Sequence, residues 1–271
     1  ELSPSLGPGE AASVTRLVLE DLFGYRRNSL NRQLSQDEQL LAWATINRLK
    51  AGEPVQYVTG IADFYGLQLH ITPDVLIPRP ETEELVEWVL ETYPNDTEIR
   101  LLDVGTGSGC IPLALKARRP GWSCAAVDIS PEALAVASEN AERLGLEVTF
   151  SKIDALQGAA ALPAQDGGSY NLIISNPPYI PPSEKDKMSA STVVHEPELA
   201  LFVKEEDPLA FYQKIGELAI NQLTQSGRLF FETNEFNHQE VVHLLESMGF
   251  QQVTSQKDLQ GKWRMISAVK G

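Results

Sequence analysis

Basic residues are scarce in this chain: across 271 residues, 22 Lys and Arg stand against 37 Asp and Glu, a formal net charge of -15. No stretch of Lys or Arg is dense enough to track phosphates. Nucleic acid is therefore not expected as a direct partner, because affinity for it rests on neutralising phosphates. An acidic surface suits a protein or small-molecule partner better. Cysteine is scarce too, with only Cys110 and Cys124, both in apolar segments and without neighbours at metal-ligand spacing. That argues against a disulfide scaffold and a metal site, and leads us to expect two buried free thiols in a reducing compartment. No apolar run approaches the roughly 20 residues of a membrane span, and no charged region followed by an apolar one opens the chain. A soluble, cytoplasmic monomer without a membrane partner is expected. What is present is a 42% hydrophobic fraction, enough for a core, in a length that fits a small domain joined to a full α/β domain.

The stretch "NLIISNPPYIPP" is the first functional clue. Leu172, Ile173 and Ile174 read as a strand buried on both faces, which Pro177 and Pro178 then stop. Each proline also holds the residue before it in extended geometry. Asn176-Pro177-Pro178-Tyr179 is thus a stiff row of acceptors at the carboxyl end of a strand, where α/β sheets bind ligands. It suits a group that donates two hydrogens, such as an amide or aromatic NH2. A plain strand terminator is the competing reading of the tetrad alone.

Taken in order, residues 1 to 9 look like a loose start, followed by a helix with Val14, Leu17, Val18 and Leu22 on one face. Ser35 and Glu38 have capping-box spacing ahead of a second helix with Leu40, Leu41, Ala44 and Leu49. Between Gly52 and Ile77 the period falls to two, and Leu67, Leu69 and Ile71 predict a hairpin. "IPRPETEELVEWVLET" predicts a helix with Pro80 in its first turn and Leu85, Trp88 and Val89 inward. Arg79, just before it, is either a surface partner of Glu81 or Glu83 or part of a turn covering a pocket. From Ile99 strands and helices alternate through "IRLLDVG", "SCAAVDIS", "VTFSKID", "YNLIIS", "GRLFFET" and "WRMISAV", which predicts a parallel, doubly wound sheet. His238 and His243 are five apart on a predicted helix, so they do not share a face for a metal and read as solvated. His195, beside Glu196, either lines a pocket mouth or is structural, the structural reading coming first, and Trp43, Trp88, Trp122 and Trp263 read as core or interface aromatics.

A second site is written in Gly105-Thr106-Gly107-Ser108-Gly109, which leaves a strand and opens a helix. Alternate glycines let a ligand lie against main-chain N–H groups. The dinucleotide fingerprint needs glycine where Cys110 stands, so a pyrophosphate is disfavoured. Asp128 ends the next strand, where a carboxylate can accept both ribose hydroxyls. Asp154 ends the third and can take the amine of an adenine, with Ile129 and Ala155 against the ring. Each acid alone could be only a helix cap or a solvated strand end. Together they favour an adenosine-type ligand without pyrophosphate. Beside an amine clamp, that suggests S-adenosyl-L-methionine and methyl transfer to a planar NH2, leaving S-adenosyl-L-homocysteine. Asn176, Pro177, Pro178 and Tyr179 are the expected catalytic group, with Tyr179 walling the pocket against water.

The segments "GEPVQYVTG", "FYGLQLHITPDVLIPRPETEELV", "LLDVGTGSGCIPLAL", "AVDISPEALAVASENAERLG", "SNPPYIP", "HEPELAL" and "DLQGKWRMISA" resemble the HemK/PrmC protein-(glutamine-N5) methyltransferases over nearly the whole chain. Asn-Pro-Pro-Tyr by itself also marks adenine-N6 methyltransferases, whereas "IPRPETE" upstream of the glycine turn is far more specific. The resemblance implies a class I S-adenosylmethionine-dependent methyltransferase, Rossmann-like with a mainly parallel seven-stranded sheet, joined by a β-hairpin to a small helical N-terminal domain. The expected division is a helical docking domain over 1–58, a hairpin linker over 59–78 and a methyltransferase domain over 79–271. It implies the glutamine of the Gly-Gly-Gln motif of peptide chain release factors as substrate. Cofactor contacts are expected at Gly105, Thr106, Gly107, Ser108, Gly109, Asp128, Ile129, Asp154, Ala155, Asn176, Arg79 and Thr82. The chain departs from many relatives in "FVKEEDPLAFY" and "FFETNEFNHQE", and at Ala155, where some carry a bulky aromatic.

Overall fold

The computed structural model describes residues 2–25, 32–94, 98–157 and 169–271. Residues 2–9 are not loose: a single turn, α1 (Ser3–Leu6), precedes α2 (Pro8–Phe23), whose first helical position is Pro8. Proline fits there because its fixed φ suits a helix and its missing N–H would have no partner. α2 buries Ala11, Val18 and Phe23. α3 (Gln36–Lys50) opens with the expected capping box, in which the Ser35 hydroxyl accepts from the Glu38 N–H and the Glu38 carboxylate accepts from the Ser35 N–H. Of the four apolar residues that mark it in the sequence, only Leu49 is buried. Thr45 and Leu49 are buried with Ala42 and Ile46 against them, while Leu40, Leu41 and Trp43 are exposed. Apolar residues occur on both sides of this helix, so periodicity alone could not choose the face.

α4 (Val55–Thr59) interrupts the segment expected to be extended and ends at Gly60, in the left-handed region at φ 72°. The hairpin follows as β1 (Ile61–Phe64) and β2 (Leu67–His70), antiparallel and joined by Tyr65-Gly66, both at positive φ. Two such residues are what a tight hairpin loop requires. Phe64, Leu69 and Ile71 are buried, and α5 (Pro80–Thr92) packs Leu85, Val86 and Val89 into the same core.

The rest is one seven-stranded sheet made of β3 (Arg100–Val104), β4 (Ser123–Asp128), β5 (Val148–Lys152), β6 (Tyr170–Ser175), β7 (Leu223–Glu232), β8 (Gln251–Lys257) and β9 (Trp263–Val269). Their spatial order is β5-β4-β3-β6-β7-β9-β8. The first five pair in parallel, while β9 runs antiparallel to β7 and to β8. β8 was not expected: its exposed and half-buried residues carry little alternation, and it is an edge strand. α6 (Cys110–Arg118) and α7 (Pro131–Leu144) share a core with α5 and the hairpin, whereas α10 (Ala210–Gln222) and α11 (His238–Ser247) share the other. The short α8 (Ala190–His195) and α9 (Glu198–Leu201) lie between β6 and α10.

Two expectations about polar residues change. His238 is buried rather than solvated: its Nδ1 pairs with the Thr233 hydroxyl at 2.8 Å, its Nε2 with the Ser255 hydroxyl at 2.8 Å, and its ring stacks on Trp263. Burial lowers its pKa to about 4. Cys124 is buried, but Cys110 is only half-buried and faces a cavity. Among the described residues no helix is long and apolar enough to cross a membrane, and no three His, Cys, Asp or Glu side chains gather as a metal site.

Candidate active site

The strand order reverses between β3 and β6, since the chain leaves β3 toward β4 and β5 and returns to the other side at β6. Such a switch point opens a crevice at the carboxyl ends of the strands. A cavity of about 370 Å³ lies there. Val104, Asp128 and Ser175, the last residues of three parallel strands, all line it.

β3 runs into the glycine turn, where Gly105, Gly107 and Gly109 have φ of 77°, 54° and 80°. These values lie in the left-handed region that side chains disfavour. The turn is tied to β4, with the Gly105 and Thr106 N–H groups donating to the Val127 carbonyl at 2.8 and 3.1 Å. Gly105, Thr106, Gly107 and Ser108 line the cavity; Gly109 does not. A Cβ at Gly109 would sit 3.1 Å from Leu113 and 3.2 Å from Ala137, so this glycine lets α6 approach α7. Asn140 of α7 braces the turn from behind, donating to the Ser108 carbonyl at 3.0 Å while its amide pairs with both the N–H and the carbonyl of His70 in β2.

Asp128 accepts the Gly107 N–H on one carboxylate oxygen at 2.9 Å and the Ser130 N–H on the other at 3.0 Å. Each oxygen keeps lone-pair capacity toward the cavity. Asp154 caps the turn that follows it, accepting from the Leu156 N–H and the Gln157 side chain, both at 2.9 Å. Ile129, Asp154 and Ala155 line the cavity beside it.

Three buried polar groups at this end have no hydrogen-bond partner among the described residues: both carboxylate oxygens of Asp103, the Thr106 hydroxyl and the Ser108 hydroxyl. Burial drives the pKa of Asp103 up to about 7, the nearby Thr106 hydroxyl draws it down, and Asp128 raises it again. Asp103 was not singled out in the sequence. A charged residue inside the apolar run "LLDVG" was the signal available.

On the other side, the tetrad follows β6, and Ser175 fastens that strand end to β3 through its hydroxyl on the Val104 carbonyl at 2.6 Å. Asn176, Pro177 and Pro178 line the cavity. Neither Asn176 Oδ1 nor the Pro177 carbonyl receives a hydrogen bond from the described residues. Tyr179 is not part of the lining: it packs into the core shared with α10, and its hydroxyl donates to Glu232 at 3.2 Å. Glu232 ends β7, is 1% exposed, and also accepts the Thr82 hydroxyl at 2.6 Å. Burial raises its pKa, offset by the Thr82 hydroxyl, by Arg264 and by Tyr179.

Arg79 and Thr82 line the cavity from the start of α5. Neither expected partner of Arg79 is the real one. Its guanidinium pairs with Glu196 at 2.6 Å, and the second oxygen of that buried carboxylate accepts the Ile77 N–H at 3.2 Å. Like Asp103, Glu232 is a residue sequence reasoning missed, and Glu196 was placed only at a pocket mouth beside His195, without its partner. Each glutamate is a lone charge beside an apolar or proline-containing stretch, and each finds its partner more than a hundred residues away.

The comparisons with known proteins agree with this geometry. Residues 84–205 match the family "Methyltransferase small domain", and residues 5–60 match the family "PrmC N-terminal domain". The release factor glutamine methyltransferase of Bacteroides thetaiotaomicron is 40% identical over 267 residues, 96% of this chain and 93% of the relative. That of Flavobacterium psychrophilum is 41% identical over 265 residues, 95% and 91% respectively. Among solved structures, the hMettl16 catalytic domain in complex with a MAT2A 3'UTR hairpin superposes with a TM-score of 0.61 at 15% identity, covering 96% of this chain and 91% of that one. This last likeness is one of fold. On its near full-length identity to the curated relatives, the chain belongs to the release factor glutamine methyltransferase family, enzymes of the class I methyltransferase fold.

Proposed function

We propose that this enzyme transfers the methyl group of S-adenosyl-L-methionine to the side-chain amide nitrogen of the glutamine in the Gly-Gly-Gln motif of peptide chain release factors. The observation that carries the reading is a pair of unengaged acceptors, Asn176 Oδ1 and the Pro177 carbonyl, on the wall of the switch-point cavity. Family membership supports the substrate.

The cavity residues fit the cofactor. Asp128 has capacity for ribose hydroxyls, Ile129 and Ala155 offer apolar contact to an adenine, and Asp154 stands beside them. The Thr106 and Ser108 hydroxyls suit the polar methionine end, held over the turn from Gly105 to Gly109, while Asp103 is fully buried in β3 outside the lining. When bound, the cofactor supplies an electrophilic methyl group on a sulfonium. An amide nitrogen is a poor nucleophile because its lone pair is delocalised into the carbonyl. Donating its two N–H groups to Asn176 Oδ1 and the Pro177 carbonyl would raise electron density on nitrogen and aim the lone pair into the cavity. No strong base is needed: as the nitrogen gains the methyl it becomes acidic and releases one of its two protons to solvent. Pro178 keeps the tetrad stiff, and Tyr179 holds it from beneath through Glu232.

In this reading residues 1–58 dock the release factor, 59–78 link, and 79–271 carry the chemistry in a cytoplasmic monomer. The exposed Leu40, Leu41 and Trp43 give the docking part an apolar face. The test is mass spectrometry of the Gly-Gly-Gln peptide from release factor incubated with enzyme and cofactor. One added methyl on glutamine is expected. Methyl transfer to DNA or RNA adenine alone, the alternative that the tetrad leaves open, would overturn the proposal.

A further inference from the structure

We infer that Thr82 and Glu232 are positioning residues that decide which end of the Asn176 amide faces the substrate. The inference rests on the function proposed above and concerns a step it leaves open. An asparagine side chain has an acceptor end and a donor end of nearly the same shape, and only the acceptor end can receive the N–H of a glutamine amide. Turned by 180°, Asn176 would present two hydrogens to two hydrogens.

With Glu232 ionised, the state that its bonds from Thr82 and Tyr179 and the nearby Arg264 charge favour against the effect of burial, the bonding around Thr82 leaves one arrangement. Its hydroxyl has a single proton, given to Glu232 Oε2 at 2.6 Å. A carboxylate can only accept, and the second oxygen of Glu232 already takes the Tyr179 hydroxyl at 3.2 Å, with the Arg264 guanidinium providing a favourable charge nearby. With its proton committed, Thr82 Oγ1 can only accept in turn. What it accepts is the Asn176 Nδ2 hydrogen, at 3.2 Å. The NH2 end of Asn176 is thereby bound to α5, and Oδ1 is left for the cavity. Thr82 is 2% exposed and Glu232 1%, so no bulk water competes for these positions. The relay runs from the end of β7 through the first turn of α5 to the end of β6, three elements whose sequence positions span 150 residues. Glu232 is itself held, because its backbone carbonyl accepts the Tyr212 hydroxyl at 3.3 Å.

The test compares wild type, Thr82→Val and Thr82→Ser in methylation of full-length release factor, with cofactor affinity measured separately by calorimetry. Valine keeps the shape and removes both donor and acceptor. We expect Thr82→Val to lose about 10²-fold in kcat, the scale of a misoriented reacting group, with cofactor affinity within about twofold of wild type. Thr82→Ser should recover most of the loss. A Val variant as fast as wild type, a Ser variant as slow as Val, or a cofactor affinity that falls with kcat would each overturn the inference. Should the Val variant fail to fold, Glu232→Met carries the test. It removes the acceptor, so the Thr82 hydroxyl is free to turn its proton onto Asn176 Oδ1. We expect at least about a tenfold fall in kcat, and full activity would refute the relay. A wild-type enzyme that does not methylate release factor breaks the proposed function instead, an outcome visible before any variant is made.

Discussion

The two sides of the cavity differ in how their buried polar groups are satisfied. On the tetrad side Thr82, Glu232 and Glu196 are all bonded within the protein, to Asn176, Tyr179, Arg79 and the Ile77 N–H. On the glycine-turn side Asp103, Thr106 and Ser108 are buried with no hydrogen-bond partner among the described residues. A satisfied network fixes its dipoles before the reactant arrives, which is the condition for electrostatic preorganisation. Unmet buried groups cost stability, and a ligand that supplies partners returns it. The buried groups of the tetrad side are thus satisfied in the free enzyme, which leaves Asn176 Oδ1 and the Pro177 carbonyl open to a substrate, while the buried hydroxyls of the glycine side are left for what it binds.

If that division holds, removing Asn176 should separate chemistry from binding more sharply than any other change. Asn176→Ala is expected to lower single-turnover methyl transfer by about 10²–10³-fold, as removal of an aligned polar group at a reacting centre does. Cofactor affinity, measured by calorimetry, should change by less than about tenfold, since most of the proposed cofactor contacts lie across the cavity. Equal losses in both would mean that the two sides act as one.

The next largest effect is on stability. Glu196→Ala leaves Arg79 and the Ile77 N–H without their partner, behind a carboxylate whose side chain is 1% exposed. A cost of about 2–4 kcal/mol is expected in denaturant unfolding, the range for breaking a buried charged pair, tempered here because Arg79 is one-third exposed. A cost below about 0.5 kcal/mol would show that the tetrad side is not held by its own network.

The same contrast explains what the sequence could tell. Asn176 and Asp128 were legible because each closes an apolar run ahead of a proline, Pro177 and Pro131 respectively, a local signal, and Asp154 because it follows the next segment of the same alternation. The parallel sheet followed from the alternation of strands and helices. The relay through Glu232 and the Arg79–Glu196 pair could not be read, because each joins residues more than a hundred positions apart and nothing local marks the partner. Tyr179 illustrates the limit: the tetrad announced itself, but whether its ring faced the cavity or Glu232 depended on the packing of α10 beneath. β8 was missed because its seven residues are exposed or half-buried and lack a buried stripe to set a period. His238 was misjudged because Ser255, its second partner, lies on that same strand.

The glycine side should respond to pH through Asp103. Its pKa in the folded protein is about 7 against an ordinary 3.8, so the folded state holds this proton more tightly than the unfolded chain does. The stability this provides is fully present below pH 3.8, declines as pH rises, and is gone above about 7. In the absence of cofactor, Asp103→Asn should therefore gain on wild type as pH rises, by on the order of a few kcal/mol once both states of wild type are ionised. Unfolding curves for both proteins at several pH values measure the gap. A gap that is constant with pH would mean that Asp103 finds a partner in solution.

The smallest expected effect is also the most discriminating. Ser108→Ala removes a buried hydroxyl that bonds to nothing among the described residues, so the free protein should keep its stability within about 0.5 kcal/mol. If that hydroxyl is reserved for the cofactor, affinity should still fall by about 3–10-fold, the worth of one neutral hydrogen bond. Thr82→Val, by contrast, should leave affinity in place and take the loss in turnover. Two substitutions of buried hydroxyls on facing walls of one cavity would then divide cleanly between binding and chemistry. A Ser108 variant that unfolds more easily yet binds as well as wild type would reverse the assignment, making the glycine side the self-sufficient one.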